Sequence, residues 1–234
     1  MEYRISIGNQ GFDNLRQRKC FYIDKTSLIM EWWDSQDIVT LITRPRRFGK
    51  TLNMSMLNCF FSNQYANRGD LFEGLSVWED EKYRQLQGTY PVIFLSFADV
   101  KADNIEAAKA QVKVKVAELF NRSTFLLDSG ILVENEAEAF KRVTMYMDDV
   151  LCTSAVNMMC YFMHKYYDKK VIILLDEYDT PMQEAYVHGY WDEFTAFIRS
   201  MFNSVFKTNP YLERAVMTGI TRVSKESIFS DLNN

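Results

Sequence analysis

The sequence predicts an α/β fold in which helices cover both faces of a mostly parallel sheet. Three observations carry this expectation. Four short, nearly unbroken apolar runs rich in β-branched residues punctuate the chain, the pattern of strands buried on both faces. Between them lie stretches whose apolar residues recur three and four apart, as in helices that pack one stripe inward. Finally, 234 residues with 47% hydrophobic side chains can build a sizeable core, and 9 Gly and 4 Pro leave no linker-like tract to divide it. One continuous domain over 1–234 is therefore expected, with an N-terminal extension of about 1–37 packed onto it.

The first strand is expected at Ile38-Val39-Thr40-Leu41-Ile42-Thr43, and the helix after it carries the stripe Leu52, Met56, Leu57, Phe60, Phe61. The run from Pro91 to Phe97 is the second strand, followed by a helix through Ile105, Ala108, Val112, Val116 and Leu119. The segment from about 121 to 136 reads as loop or helix boundary, because Asp128-Ser129-Gly130 is a turn signal. Phe140, Val143, Met147 and Val150 then fit one helix, and Val156, Met159, Cys160, Met163 and Tyr166 another. Val171 to Leu175 is the third strand, Trp191 to Val205 the last helical stripe, and Ala215-Val216-Met217-Thr218 the fourth strand. The methionines on these stripes, such as Met54, Met56, Met158 and Met159, are assigned to core packing rather than to a partner groove.

Charge narrows the function. With 27 Lys and Arg against 31 Asp and Glu, the net charge is −4, so no global positive field draws this chain onto nucleic acid or an anionic membrane. No apolar run approaches the roughly 20 residues that span a bilayer, and the first residues lack a signal-peptide core, so a cytoplasmic location without membrane contact is expected. Cys20, Cys59, Cys152 and Cys160 form no C-x-x-C pair, and the histidines are His164 and His188, which argues against a zinc site or disulfide framework. Cys59 and Cys160 fall inside apolar helical patterns and read as small buried hydrophobes.

The sharpest chemical feature follows the first strand: Arg44-Pro45-Arg46-Arg47-Phe48-Gly49-Lys50-Thr51. This is the phosphate-binding pattern G-x-x-x-x-G-K-[ST] with Arg44 in place of its first glycine, in the strand-loop-helix setting that the motif requires. Gly49 lets the backbone approach phosphates, Lys50 offers a point charge between the terminal phosphates, and Thr51 offers a hydroxyl to Mg²⁺. Arg44 implies a modified loop entry, and Pro45 holds Arg44 extended and removes one donor. Arg46 and Arg47 either line the phosphates, meet a partner acid or stand as solvated loop charges.

A second half comes with the third strand, which runs into Asp176-Glu177. An apolar strand ending in two acids places Asp176 at the carboxyl edge of the sheet, where open α/β folds bind ligands. Asp176 would hold Mg²⁺, and Glu177 would act as base toward the attacking water. Asp179 reads as a cap or turn acid rather than a third catalytic carboxylate. The fourth run ends in Thr218-Gly219-Ile220-Thr221-Arg222, where Thr221 or Arg222 would stabilise the transferred phosphoryl group or form a plain turn.

With these residues in view, the chain resembles the AAA-ATPase-like family of bacterial P-loop proteins, in which this region commonly precedes a nuclease-like domain of the PD-(D/E)XK type. The marks are Gly11-Phe12-Asp13, Phe21-Tyr22-Ile23-Asp24-Lys25-Thr26, the loop from Arg44 to Thr51, Pro91 to Phe97, Leu175-Asp176-Glu177-Tyr178-Asp179, and Thr218 through Lys225. The resemblance covers nearly the whole chain, and Arg44 looks like the family's own form of the loop. It implies a three-layer P-loop NTPase of the additional-strand type, with the fourth strand lying between the first and the third. It also implies that Phe21 to Lys25 approach the nucleotide base; from the residues alone, a capped helix start at Asp24 is an equal reading. Family members run on past the position of Asn234 into a last strand, a lid and the nuclease-like region. The expectation is therefore a chain that stops before that strand and lid, with one sheet edge unpaired.

The leading functional expectation is Mg²⁺-dependent ATP binding with slow hydrolysis, acting as a conformational switch for an attached nuclease-like domain or a separate partner protein, with oligomers open. One alternative is a nucleotide-binding scaffold that does not hydrolyse. Another makes the arginines of 44–47 a nucleic-acid contact, against which the acidic balance argues.

Overall fold

The four apolar runs are strands, and the pattern between them is largely helical. The computed structural model describes residues 8–220. Helices α1 (Phe12–Gln17) and α2 (Ser27–Ser35) precede β1 (Val39–Thr43), and α3 (Lys50–Phe61) follows it. A stretch of 3₁₀ turns and a short α4 (Glu81–Arg84) lead to β2 (Val92–Ser96). Next come α5 (Ile105–Arg122), α6 (Phe125–Asp128), α7 (Glu134–Arg142), α8 (Asp149–Tyr167) and β3 (Val171–Asp176). The described chain closes with α9 (Thr180–His188), α10 (Trp191–Phe202), a π-helical turn over Asn203–Lys207, and β4 (Leu212–Gly219).

Every strand pair is parallel, and the order across the sheet is β1-β4-β3-β2. The last strand therefore inserts between β1 and β3, in agreement with the order that the family resemblance implied. Parallel pairing brings the carboxyl ends to one edge: Thr43 lies opposite Gly219, and Ser96 opposite Asp176. Among the described residues β1 forms one rim of the sheet, and all five of its residues are only half-buried, whereas β3 is buried throughout.

Side chains alternate across a strand, so each face has its own core. Val171, Ile173, Leu175, Ala215 and Met217 pack with α5, α8 and α10. Ile172, Leu174 and Val216 pack with α3 and with Phe12 of α1 and Ile29 and Trp32 of α2. Arg214 ties the N-terminal segment to β4, donating to the carbonyl of Trp32 at 3.1 Å and to that of Trp33. Met54, Met56 and Met159 are buried in these cores, as are Cys59, Cys152 and Cys160. Burial pushes the three thiols up, Cys59 to about 11 and the other two to about 12.

The structure departs from the periodicity in two places. Phe140, Val143, Met147 and Val150 do not share a helix: α7 ends at Arg142, and α8 starts afresh where the Asp148 carboxylate accepts from the Leu151 N–H at 2.8 Å. A good N-cap outweighed a coincidental apolar spacing. The segment 121–136 is a helix boundary as expected: α5 ends at Arg122, the short α6 and a turn at Ser129-Gly130 follow, and α7 begins at Glu134. Helix α9, which the apolar pattern did not announce, begins directly after Asp179.

Candidate functional site

The loop 44–49 joins β1 to α3 at the carboxyl edge of the sheet. Its entry continues the strand, with the Arg44 N–H donating to the Gly219 carbonyl at 3.1 Å. Arg44 is absent from the residues with positive φ, while Arg47 (φ 69°) and Gly49 (φ 77°) are left-handed. The turn is therefore made at the second half of the loop, which is why a side chain is tolerated at position 44. Lys50, 7% exposed, folds back under the loop, and its ammonium donates to the carbonyls of Arg44 at 2.9 Å and Pro45 at 3.1 Å. Lysine carries three donors, so one remains for an incoming acceptor. The first bond within α3 is Asn53 N–H to the Gly49 carbonyl at 2.9 Å, so the amides of its first turn face the loop without helical partners. Arg44, Pro45, Arg46, Arg47 and Phe48 are exposed; Thr51 is half-buried in that first turn.

The acidic half lies two strands away. Asp176 is 1% exposed; its Oδ1 accepts from the Thr218 hydroxyl, and its Oδ2 is buried with no hydrogen-bond partner. Alternation decides its direction: Ile172 and Leu174 face α3, so Asp176 does too, and Val216 places Thr218 on the same face. The Thr218 Oγ1 also accepts from the Glu177 N–H at 3.3 Å. Glu177 sits at φ 52°, a left-handed geometry that few non-glycine residues adopt, and its carboxylate accepts from the Thr180 hydroxyl at 3.2 Å. Asp179 occupies the N-cap position of α9 but makes no side-chain cap bond. Its Oδ2 instead accepts from the Ile220 N–H at 2.9 Å and from Gln183 at 2.8 Å, clasping the end of β4.

A third element reaches the loop. A Cβ built on Gly49 would have the Lys25 ammonium at 3.7 Å. The backbone there is fixed by Asp24, whose carboxylate accepts from the Thr26 N–H (2.8 Å) and hydroxyl (2.7 Å) and from the Ser76 N–H (2.8 Å) and hydroxyl (2.5 Å). Asp24 is thus an anchor before α2 rather than its cap, since the helix begins at Ser27 with Thr26 as N-cap. Partial burial raises its pKa, but the hydrogen bonds from Ser76 and Thr26 outweigh that and bring it down to about 2.

The fold thus gathers at one edge the sequence-predicted residues Lys50, Thr51, Asp176 and Glu177. Thr221 and Arg222 lie outside the described residues. Sequence reasoning left out Thr218 as a site residue, although its place at the end of an apolar strand was a signal, and it brought Lys25 in only within Phe21 to Lys25, which the family resemblance placed near the nucleotide base.

The family described as Predicted AAA-ATPase matches residues 6–229. The chain belongs to that family. Membership supports nucleotide binding in general and a possible ATPase. A curated relative, "Uncharacterized protein in vnfD 5'region" from Azotobacter chroococcum mcd 1, is 25% identical over 233 residues, which is 99% of this chain. The chain spans 40% of that relative's length. No solved structure matches. Among the described residues, no helix is long and apolar enough to cross a membrane.

Proposed function

We propose that this family member binds ATP with Mg²⁺ at the 44–51 loop and hydrolyses it slowly, as a switch for an attached or partner domain. The observation that carries the reading is Asp176. A buried carboxylate with one oxygen held by Thr218 and the other unpartnered is costly unless something cationic or protic meets it, and it faces the helix that begins with Lys50 and Thr51.

The donor set fits the ion. Mg²⁺ takes oxygen ligands, usually one or two protein groups completed by water and phosphate, and the Thr51 hydroxyl and Asp176 Oδ2 are of that kind. Bound there, Mg²⁺ would neutralise charge on the phosphate oxygens. The loop amides and the Lys50 ammonium would hold those oxygens, with Arg46, Arg47 and Phe48 at the rim. Glu177 would orient the attacking water and take its proton. Thr221 and Arg222 are retained as the groups that would respond to the transferred phosphoryl. An attached domain is favoured by the length of the curated relative beyond the matched part.

Calorimetry with Mg-ATP tests the reading. Binding by the native chain and its loss in Lys50→Ala are expected; no heat from a well-folded native chain would overturn it. Glu177→Gln should keep binding and lose about 100-fold or more in phosphate release. Unchanged turnover would remove Glu177 from the role, and Lys50-dependent binding without any turnover would favour a non-hydrolysing scaffold.

A further inference from the structure

We infer that Lys25 is a second phosphate-binding ammonium, delivered to the 44–51 loop from the segment before α2. The inference rests on the nucleotide reading above and adds a residue to it.

The Lys25 ammonium occupies the side of Gly49 where a side chain would stand, 3.7 Å from a Cβ built there. Because Gly49 is left-handed and bare, the space beside it is open to a ligand, and Lys25 borders that space. The ammonium is uncommitted: Lys25 is exposed, and among the described residues it ion-pairs with no carboxylate. Its neighbour Asp24 makes no ion pair with it, since both carboxylate oxygens accept from Thr26 and Ser76. Those four bonds fix the backbone at the foot of the lysine stem, so little chain ordering is left for binding to supply. Lys50, in contrast, already gives two donors to the loop's own carbonyls. A polyphosphate carries more charge than the one remaining Lys50 donor meets, and a mobile, strongly hydrated point charge beside the loop suits its oxygens. The unpartnered Asp176 Oδ2, on which the nucleotide reading rests, calls for a cation or proton donor at the same edge. An ammonium beside a phosphate loop is also a different role from the base contact that the family resemblance implied for this segment.

The test is Mg-ATP titration of the native chain, Lys25→Met and Lys50→Ala over a range of salt, with thermal unfolding as the check on folding. Lys25→Met keeps the stem, and because the residue is exposed its melting temperature should not move. Its affinity should fall about tenfold, the scale of one charge-assisted hydrogen bond, and should depend less steeply on salt than the native chain's. Affinity within twofold of native, or a loss with unchanged salt dependence, would overturn the role of Lys25 while Lys50→Ala still reports on the loop. Absence of native binding would overturn both.

Discussion

The Thr218 hydroxyl ties the end of β4 to the two acids at the end of β3, donating to Asp176 and accepting from the Glu177 N–H. Thr218→Val keeps the shape and removes both bonds, leaving buried polar groups unmet; a loss of about 1–3 kcal/mol in denaturant unfolding is expected. Gly219 is constrained by its surroundings rather than by its φ. A Cβ there would lie 2.7 Å from the Tyr178 ring and from the Asp179 carboxylate, both buried. Gly219→Ala should cost about 1–3 kcal/mol, measured the same way. At this scale the sequence named most of the candidate residues that the fold gathers at one edge, because a glycine, a lysine, a threonine and an acid at motif spacing carry their chemistry with them. It did not show how the loop is entered at Arg44, since that depends on its amide reaching Gly219 across the sheet.

Asp24 shows how one residue sets an element. Its bonds to Ser76 tie the start of α2 to the 3₁₀ segment 51 positions or more away in sequence, and Val77 N–H reaches the Thr26 hydroxyl at 3.1 Å. A carboxylate whose folded pKa is about 2 against a reference of 3.8 stabilises the fold while ionised. That contribution is fully present above the reference value and disappears as pH falls through about 2. Asp24→Asn should therefore melt below the native protein at neutral pH, and the two melting curves should converge as pH approaches 2. Elements proved legible where the pattern was long, as in α5 and α8. Their starts were missed where caps decided: Asp148 starts α8 within what looked like a continuing apolar stripe.

Across the molecule, the central strand β3 supplies both cores, Ile172 and Leu174 to one face and Val171, Ile173 and Leu175 to the other. Leu174→Ala, at 0% exposure, should cost about 2–5 kcal/mol. Because one sheet serves both layers, we expect one cooperative transition. Fluorescence is a fair reporter, with Trp32, Trp33 and Trp78 on the α3 side and Trp191 on the other. Coincident melting by fluorescence and far-UV circular dichroism is the expected result, and separated transitions would divide the chain into more than one folding unit.

By itself the sequence determined the α/β class, the strands and the candidate site residues, because hydrophobic period and motif spacing are local and survive without a fold. Strand order was not in the periodicity, and only the family resemblance anticipated it. The tertiary structure decided that β4 lies between β1 and β3, and with that insertion Thr218 came to rest against Asp176. It also decided that Lys25, 24 positions before Gly49 in the sequence, stands beside it. Such juxtapositions depend on which faces pack together, and burial of the α3 stripe against β3 and β4 is a property of the whole core rather than of any window of residues.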